Sequence, residues 1–125
     1  MIKIWDTSKK DATAVLAIID GNKVYRGAIK SDAAIMVIHE GKLYKGSAKA
    51  GSAIAMLKGK KIYPGGYIAG MPIAIIHENK VYEGGAKAGM AFAKFDGDDD
   101  IAGAVAAILL LTDQIKGPKS FYYGM

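Results

Sequence analysis

A chain of 125 residues, 51 % hydrophobic and 23 % charged with no cysteine, is long enough to bury a core as a single domain, 1–125. That composition excludes the disordered and disulfide-stapled classes. The net charge of +5 understates how basic most of the surface is, because Asp96, Asp98, Asp99 and Asp100 concentrate a third of the twelve acids in one short segment. The longest apolar run, 101–111, falls well short of the roughly 20 residues that span a bilayer. The opening residues also lack a signal-peptide apolar stretch, so a soluble, cytoplasmic protein with no membrane partner is expected.

In chain order, the first element is Ile2-Lys3-Ile4-Trp5, which reads as a lone second strand of the unit that follows. A nineteen-residue period then takes over. Val24-Tyr25-Arg26-Gly27 returns as Leu43-Tyr44-Lys45-Gly46, Ile62-Tyr63-Pro64-Gly65 and Val81-Tyr82-Glu83-Gly84. A fifth copy, Asp100-Ile101-Ala102-Gly103, falls in register without the Tyr. Fixed-period self-similarity means one supersecondary unit used many times.

Each copy reads as a strand, a tight turn, a second strand and a looser turn. The first strands fall at 15–19, 34–38, 53–57, 72–76 and 91–95, short Ile- and Val-rich runs that suit strands better than helices. The tight turns begin at Asp20, His39, Lys58, His77 and Asp96. A type I turn with a bulge would place Asn22, Gly41, Lys60, Asn79 and Asp98 in the left-handed region, which Gly, Asn and Asp tolerate best. Gly27, Gly46, Gly65, Gly84 and Gly103 close the second strands, where positive φ is expected, and Asp32, Gly51, Gly70 and Gly89 share a position in the looser turns. Pro64 and Pro72 lack an amide donor and belong at an edge or a break in the ladder.

Alternation puts Leu16, Ile35, Ile54, Ile73 and Phe92 on one face with Ile18, Val37, Met56 and Ile75. The other face carries Ile19, Ile38, Leu57, Ile76 and Phe95 behind Ala17, Met36, Ala55, Ala74 and Ala93. Neither face is polar, so both need cover, from another sheet or another subunit, and a homo-oligomer is expected. At the C-terminus, 102–111 is read as strand in preference to an Ala-rich helix, and Phe121-Tyr122-Tyr123-Gly124 matches the Tyr-x-Gly ending of the repeat. The fold expected is all-β: five to six tandem hairpins in a meander closing into a barrel, prism or closed sheet, with a short C-terminal helix at 102–111 as the variant. Pairing the two chain ends would remove sheet edges.

The (I/V)-x-G-x-K-(V/I)-Y-x-G unit, carried over residues 14–103, resembles the tandem hairpin units of small bacterial accessory proteins, some encoded in mobile gene cassettes. The resemblance implies a cytoplasmic all-β protein of unassigned function and carries no catalytic residue. The fifth copy departs from it, with Ile101 for Tyr and Asp99 for Lys.

The one pattern that suggests a ligand is the Tyr row Tyr25, Tyr44, Tyr63 and Tyr82 with Lys23, Lys42, Lys61 and Lys80 two residues earlier, on the same strand face. Lys30, Lys49 and Lys87 add a second basic row. Cations tracking phosphates and aromatics stacking bases are how single-stranded nucleic acid is held without sequence preference. The structural reading, favoured here, is that Tyr fills a half-buried strand surface and Lys solubilises turns. His39-Glu40 and His77-Glu78 recur in alternate turns but lack a third ligand at metal spacing, and the acidic 96–100 turn reads as a charged cap on the repeat stack rather than a calcium loop. Residues 84–89 look loosely like a phosphate loop, but Met90 stands where Lys is needed. No catalytic, cofactor-binding or metal residue is assigned. The function expected is that of a non-enzymatic interaction or scaffold protein acting as a homo-oligomer, because near-identical copies supply the same groups repeatedly where an active site needs different ones. The alternative is polyanion binding by the Lys and Tyr rows.

Overall fold

The computed structural model describes residues 1–8, 15–30, 33–68, 70–112 and 115. Among these residues, ten antiparallel strands form a closed barrel. They are β1 (Ile2–Asp6), β2 (Val15–Asp20), β3 (Lys23–Arg26), β4 (Met36–His39), β5 (Lys42–Lys45), β6 (Ala55–Lys58), β7 (Lys61–Pro64), β8 (Ala74–His77), β9 (Lys80–Glu83) and β10 (Ala93–Phe95). Each strand lies beside the next in sequence, and β1 closes the ring between β10 and β2. One helix, α1 (Ile101–Leu111), follows.

Four hairpins are contiguous: β2–β3, β4–β5, β6–β7 and β8–β9. The fifth is composite. In β8–β9, Ile75 pairs with Tyr82 and Ile76 with Val81; across β10–β1, Lys94 pairs with Trp5 and Phe95 with Ile4. The lone N-terminal strand therefore supplies the second strand that the fifth copy lacks, with Trp5 in the Tyr position and Lys3 in the Lys position. The Thr7 amide donates to the Phe92 carbonyl as the Gly84 amide donates to that of Ile73.

The tight turns differ from the expected bulged type I. Asp20 pairs with Lys23, His39 with Lys42, Lys58 with Lys61 and His77 with Lys80, which leaves two-residue loops. Positive φ falls at Gly21 and Gly59 alone in the first and third loops, and at both Glu40-Gly41 and Glu78-Asn79 in the second and fourth. These are the patterns of type II′ and type I′ turns, whose twist matches that of the flanking strands better than type I does. Asn22 and Lys60 keep negative φ. Gly27, Gly46, Gly65 and Gly84 have positive φ as expected, and Pro64 ends its strand, where the ladder stops. Asp32 lies outside the described residues.

The reading of 102–111 as strand is overturned: Ile101–Leu111 is helical, with Ile101 through Leu109 all buried. Gly103, in register with the strand-ending glycines, is a helix residue. A helix apolar around its whole circumference needs cover on every side, and the barrel provides it, because α1 touches β1, β2 and every strand from β5 to β10. The inner face carries Ala17, Ala55, Ala74 and Ala93 opposite larger Ile4, Leu43, Ile62 and Val81, all buried in one cluster with α1. Small side chains at alternate places leave the lumen wide enough for a helix. Ile38, Leu57 and Ile76 join this face as the alternation requires, but Ile35, Ile54, Ile73 and Phe92 also pack against the inner core, just ahead of their strands. One of the two covers expected from another sheet or subunit is thus supplied by the chain's own helix.

The 96–100 segment is correspondingly not a hairpin turn but the entrance to α1. Asp96 Oδ1 accepts the Lys3 amide at 2.7 Å, Asp99 Oδ1 accepts that of Ile101 at 3.1 Å, and Asp100 pairs with Lys60 from the third hairpin turn. Carboxylates at a helix N-terminus suit its dipole, and in a closed ring no stack end remains for them to cap. The Phe121–Gly124 match, written 121–124 in the sequence, lies outside the described residues.

Candidate functional site

The Tyr row lies on the outer face of the barrel. Each ring sits opposite an apolar residue of its own hairpin: Tyr25 across from Ile18, Tyr44 from Val37, Tyr63 from Met56 and Tyr82 from Ile75. Tyr44, Tyr63 and Tyr82 are only 7–8 % exposed, and Tyr25 is half-buried. Trp5, in the composite hairpin, is the fifth aromatic of this belt, at the Tyr position of the lone N-terminal strand but outside the Tyr row because its side chain differs.

The second basic row, rather than the first, meets these rings. Lys30 Nζ lies 5.8 Å from the Tyr25 ring centre, Lys49 5.1 Å from that of Tyr44, and Lys87 5.4 Å from that of Tyr82. In the composite hairpin it is a strand residue, Lys94, paired directly with Trp5, that lies 5.5 Å from the ring. These are cation–π distances, and they mean that the looser loops fold back over the outer wall. Tyr63 is the exception, because position 68, equivalent to the three Lys, is Ile. The belt is therefore a packed layer between strand and loop, and the rings are not open faces for base stacking.

Lys30 reaches past Tyr25 to Asp20, Nζ to Oδ2 2.9 Å. The hydrogen bond and charge of Lys30 hold the Asp20 carboxyl below its ordinary range, and Asp20 raises Lys30 in return. Arg26 is lowered by burial. The equivalents of Asp20 are His39, Lys58 and His77. A Lys at position 68 would face Lys58, which accounts for the apolar residue there.

Lys23, Lys61 and Lys80 are exposed and Lys42 half-buried, at the hairpin-turn end of the outer wall. That end also holds Asp20, Glu40, Glu78 and the 96–100 carboxylates, so it is not a uniformly cationic track of the kind that nucleic-acid backbones require. His39 Nε2 lies 3.0 Å from Glu40 Oε1 and His77 Nε2 2.8 Å from Glu78 Oε1, each within its own exposed turn. Among the described residues no group of three or more His, Cys, Asp or Glu is placed to hold a metal ion, and no helix is long and apolar enough to cross a membrane.

What repeat-based reasoning passes over is the variation between copies. Among the described residues, apart from Met1, the exposed large apolar side chains are Ile29, Tyr67, Ile68, Met71 and Met90, all in the looser loops. The third loop stands out, since no charged residue occurs between Lys61 and His77. That gap is visible in the sequence once the copies are aligned.

A barrel of hairpins arranged like petals about a central helix has a counterpart among known families: a family model described as a 6-fold beta flower protein matches residues 4–108. The chain belongs to the 6-fold beta flower family. The matched span runs from the closing strand of this beta flower into its central helix, so it takes in the whole barrel rather than one repeat. The description counts six petals, whereas the described residues make five, the last assembled from the two ends of the barrel. No curated protein and no solved structure matches the chain.

Proposed function

We propose that the chain is a non-enzymatic interaction module whose working surface is the set of loops between hairpins. The observation that carries this reading is the contrast between a lumen filled by α1 and large apolar side chains left exposed on the loops. Exposed apolar side chains clustered among polar ones mark interaction sites more often than isolated ones do. Homo-oligomerisation belongs to the same proposal, but through these loops. The strand faces that first suggested it are occupied by α1 inside and by the aromatic–Lys layer outside. Polyanion binding by the Lys and Tyr rows is the weaker reading, because the rings are covered and the Lys23 row shares its end with carboxylates.

Replacing Ile68, Met71 and Met90 together by Ser tests whether these side chains serve the fold or a partner. A surface role predicts a melting temperature within the small range of ordinary surface substitutions, about ±0.5 kcal/mol per site. A loss as large as that of a core truncation would make them structural and remove the proposal. Light scattering on wild type and variant reports self-association in the same samples.

A further inference from the structure

Of the loops, the third differs in kind from its neighbours. Tyr67 is 71 % exposed, Ile68 51 % and Met71 74 %. Met71 leans onto the fourth loop: a Cβ built on Gly85 would lie 3.0 Å from its Cε. The fourth loop adds Met90, 90 % exposed, and carries Lys87 after an entry at the exposed Glu83; the second loop, on the other side, carries Lys49 and is entered from Lys45. Lys45, Lys49 and Lys87 are exposed. Like-charge avoidance beside Lys58 explains why position 68 is not Lys. It does not explain an exposed Tyr67 or Met71, whose equivalents in the second loop are Ala48 and Ser52.

We infer that the third and fourth loops form a peripheral docking surface for an anionic lipid bilayer, with Tyr67, Ile68 and Met71 entering the interface and Lys45, Lys49 and Lys87 meeting the headgroups. The inference rests on the reading of the loops as the working surface and names their partner. Charge complementarity selects the occupant. An uncharged loop with exposed apolar side chains beside the cationic second loop, with Lys87 on its other flank, fits a surface that is apolar beneath and negative on top, where aromatic and aliphatic side chains insert and Lys gains from anionic headgroups. The sequence-based expectation of no membrane partner addressed bilayer-spanning segments, which this contact does not use. Met side chains adapt to an irregular, fluid partner without needing a fixed complement.

The test is co-sedimentation with vesicles of phosphatidylcholine alone and of phosphatidylcholine with about one-third phosphatidylserine, at low and physiological salt. Binding is expected to the mixed vesicles only and to weaken with salt. Tyr67→Ser with Met71→Ser should reduce it about tenfold or more at unchanged melting temperature, and Lys45→Gln with Lys49→Gln should flatten the salt dependence. Absence of binding to mixed vesicles at low salt, or full binding by the Tyr67→Ser, Met71→Ser variant, overturns the inference. A wild-type dimer that the same variant makes monomeric, without vesicle binding, also overturns it while leaving the interaction module standing, with a second copy as the partner. A drop in melting temperature as large as a core truncation would sink both.

Discussion

At Gly103 the helix lies close against the barrel wall, and the contact offers a stringent check on how α1 sits. A Cβ on Gly103 would come within 2.5 Å of Ile76 Cδ1, 2.7 Å of Ile76 Cγ1 and 3.5 Å of Ile62 Cδ1. Favourable carbon–carbon contact lies near 3.5–4.0 Å, so the Ile76 atoms are about 1 Å too close. Ile76 is buried in the inner cluster and has little room to turn. Overpacking of this kind costs about 1–3 kcal/mol, against a gain of about 1 kcal/mol in helix propensity for Gly→Ala. Gly103→Ala should therefore be neutral to destabilising by about 2 kcal/mol, where propensity alone would stabilise. The decisive experiment is a cycle with Ile76→Ala, which removes both close atoms, followed by urea unfolding of all four proteins. Ile76→Ala alone should cost about 2–5 kcal/mol. In its background Gly103→Ala should become stabilising, a coupling of about 1–3 kcal/mol. Additive effects, or stabilisation by Gly103→Ala in the wild type, would refute the placement of α1 against Ile76.

Two further outcomes follow from the turns and the loops. Glu40 holds φ near +50° ahead of Gly41, so Glu40→Asn, which completes the Asn-Gly pair favoured by type I′ turns, should raise stability by about 0.5–1 kcal/mol. Its exposed contact with His39 is worth too little to offset that, and an unchanged or lower urea midpoint would contradict the turn assignment. Because the folded-state pKa of Asp20 is depressed, the Asp20–Lys30 pair contributes stability above the unfolded carboxyl pKa and loses it as pH falls through the folded value. The raised Lys30 contributes below its own unfolded pKa and loses that contribution as pH rises through the folded one. Lys30→Met should return the Asp20 titration, followed by NMR of the carboxyl carbon, to the ordinary carboxylate range; a curve that does not move would remove Lys30 as the cause.

The hairpins and their closure are written in the nineteen-residue spacing, and even the N-terminal half-hairpin can be recognised from Ile2-Lys3-Ile4-Trp5. The helix is less legible for a physical reason. Periodicity separates helix from strand only when one side is polar, and 101–111 is apolar throughout, while Gly103 falls in step with Gly27 and its successors. The better signal was chemical: Ala102, Ala104, Ala106 and Ala107 behind Asp99 and Asp100 make a good helix start. Turn type is not legible from the third turn residue, because in the first and third turns Gly21 and Gly59, one place earlier, carry the positive φ. The spacing puts the Tyr row and the Lys23 row on one strand face, but the cover over the rings depends on how far Lys49 or Lys87 folds back, and spacing holds no information about that. The exposed Tyr67 and Met71 were legible only as departures from the repeat.

The helix at the centre also constrains how this architecture can change. Open repeat arrays gain or lose units with little penalty, since each unit touches only its neighbours. Here the circumference must match a single cylinder of fixed girth, and barrel diameter grows roughly in proportion to strand number. Dropping a hairpin would squeeze α1 and adding one would leave it rattling, unless the inner Ala17, Ala55, Ala74 and Ala93 were resized at the same time. Copy number in such a ring behaves as a quantised quantity, tuned jointly with the calibre of its inner wall.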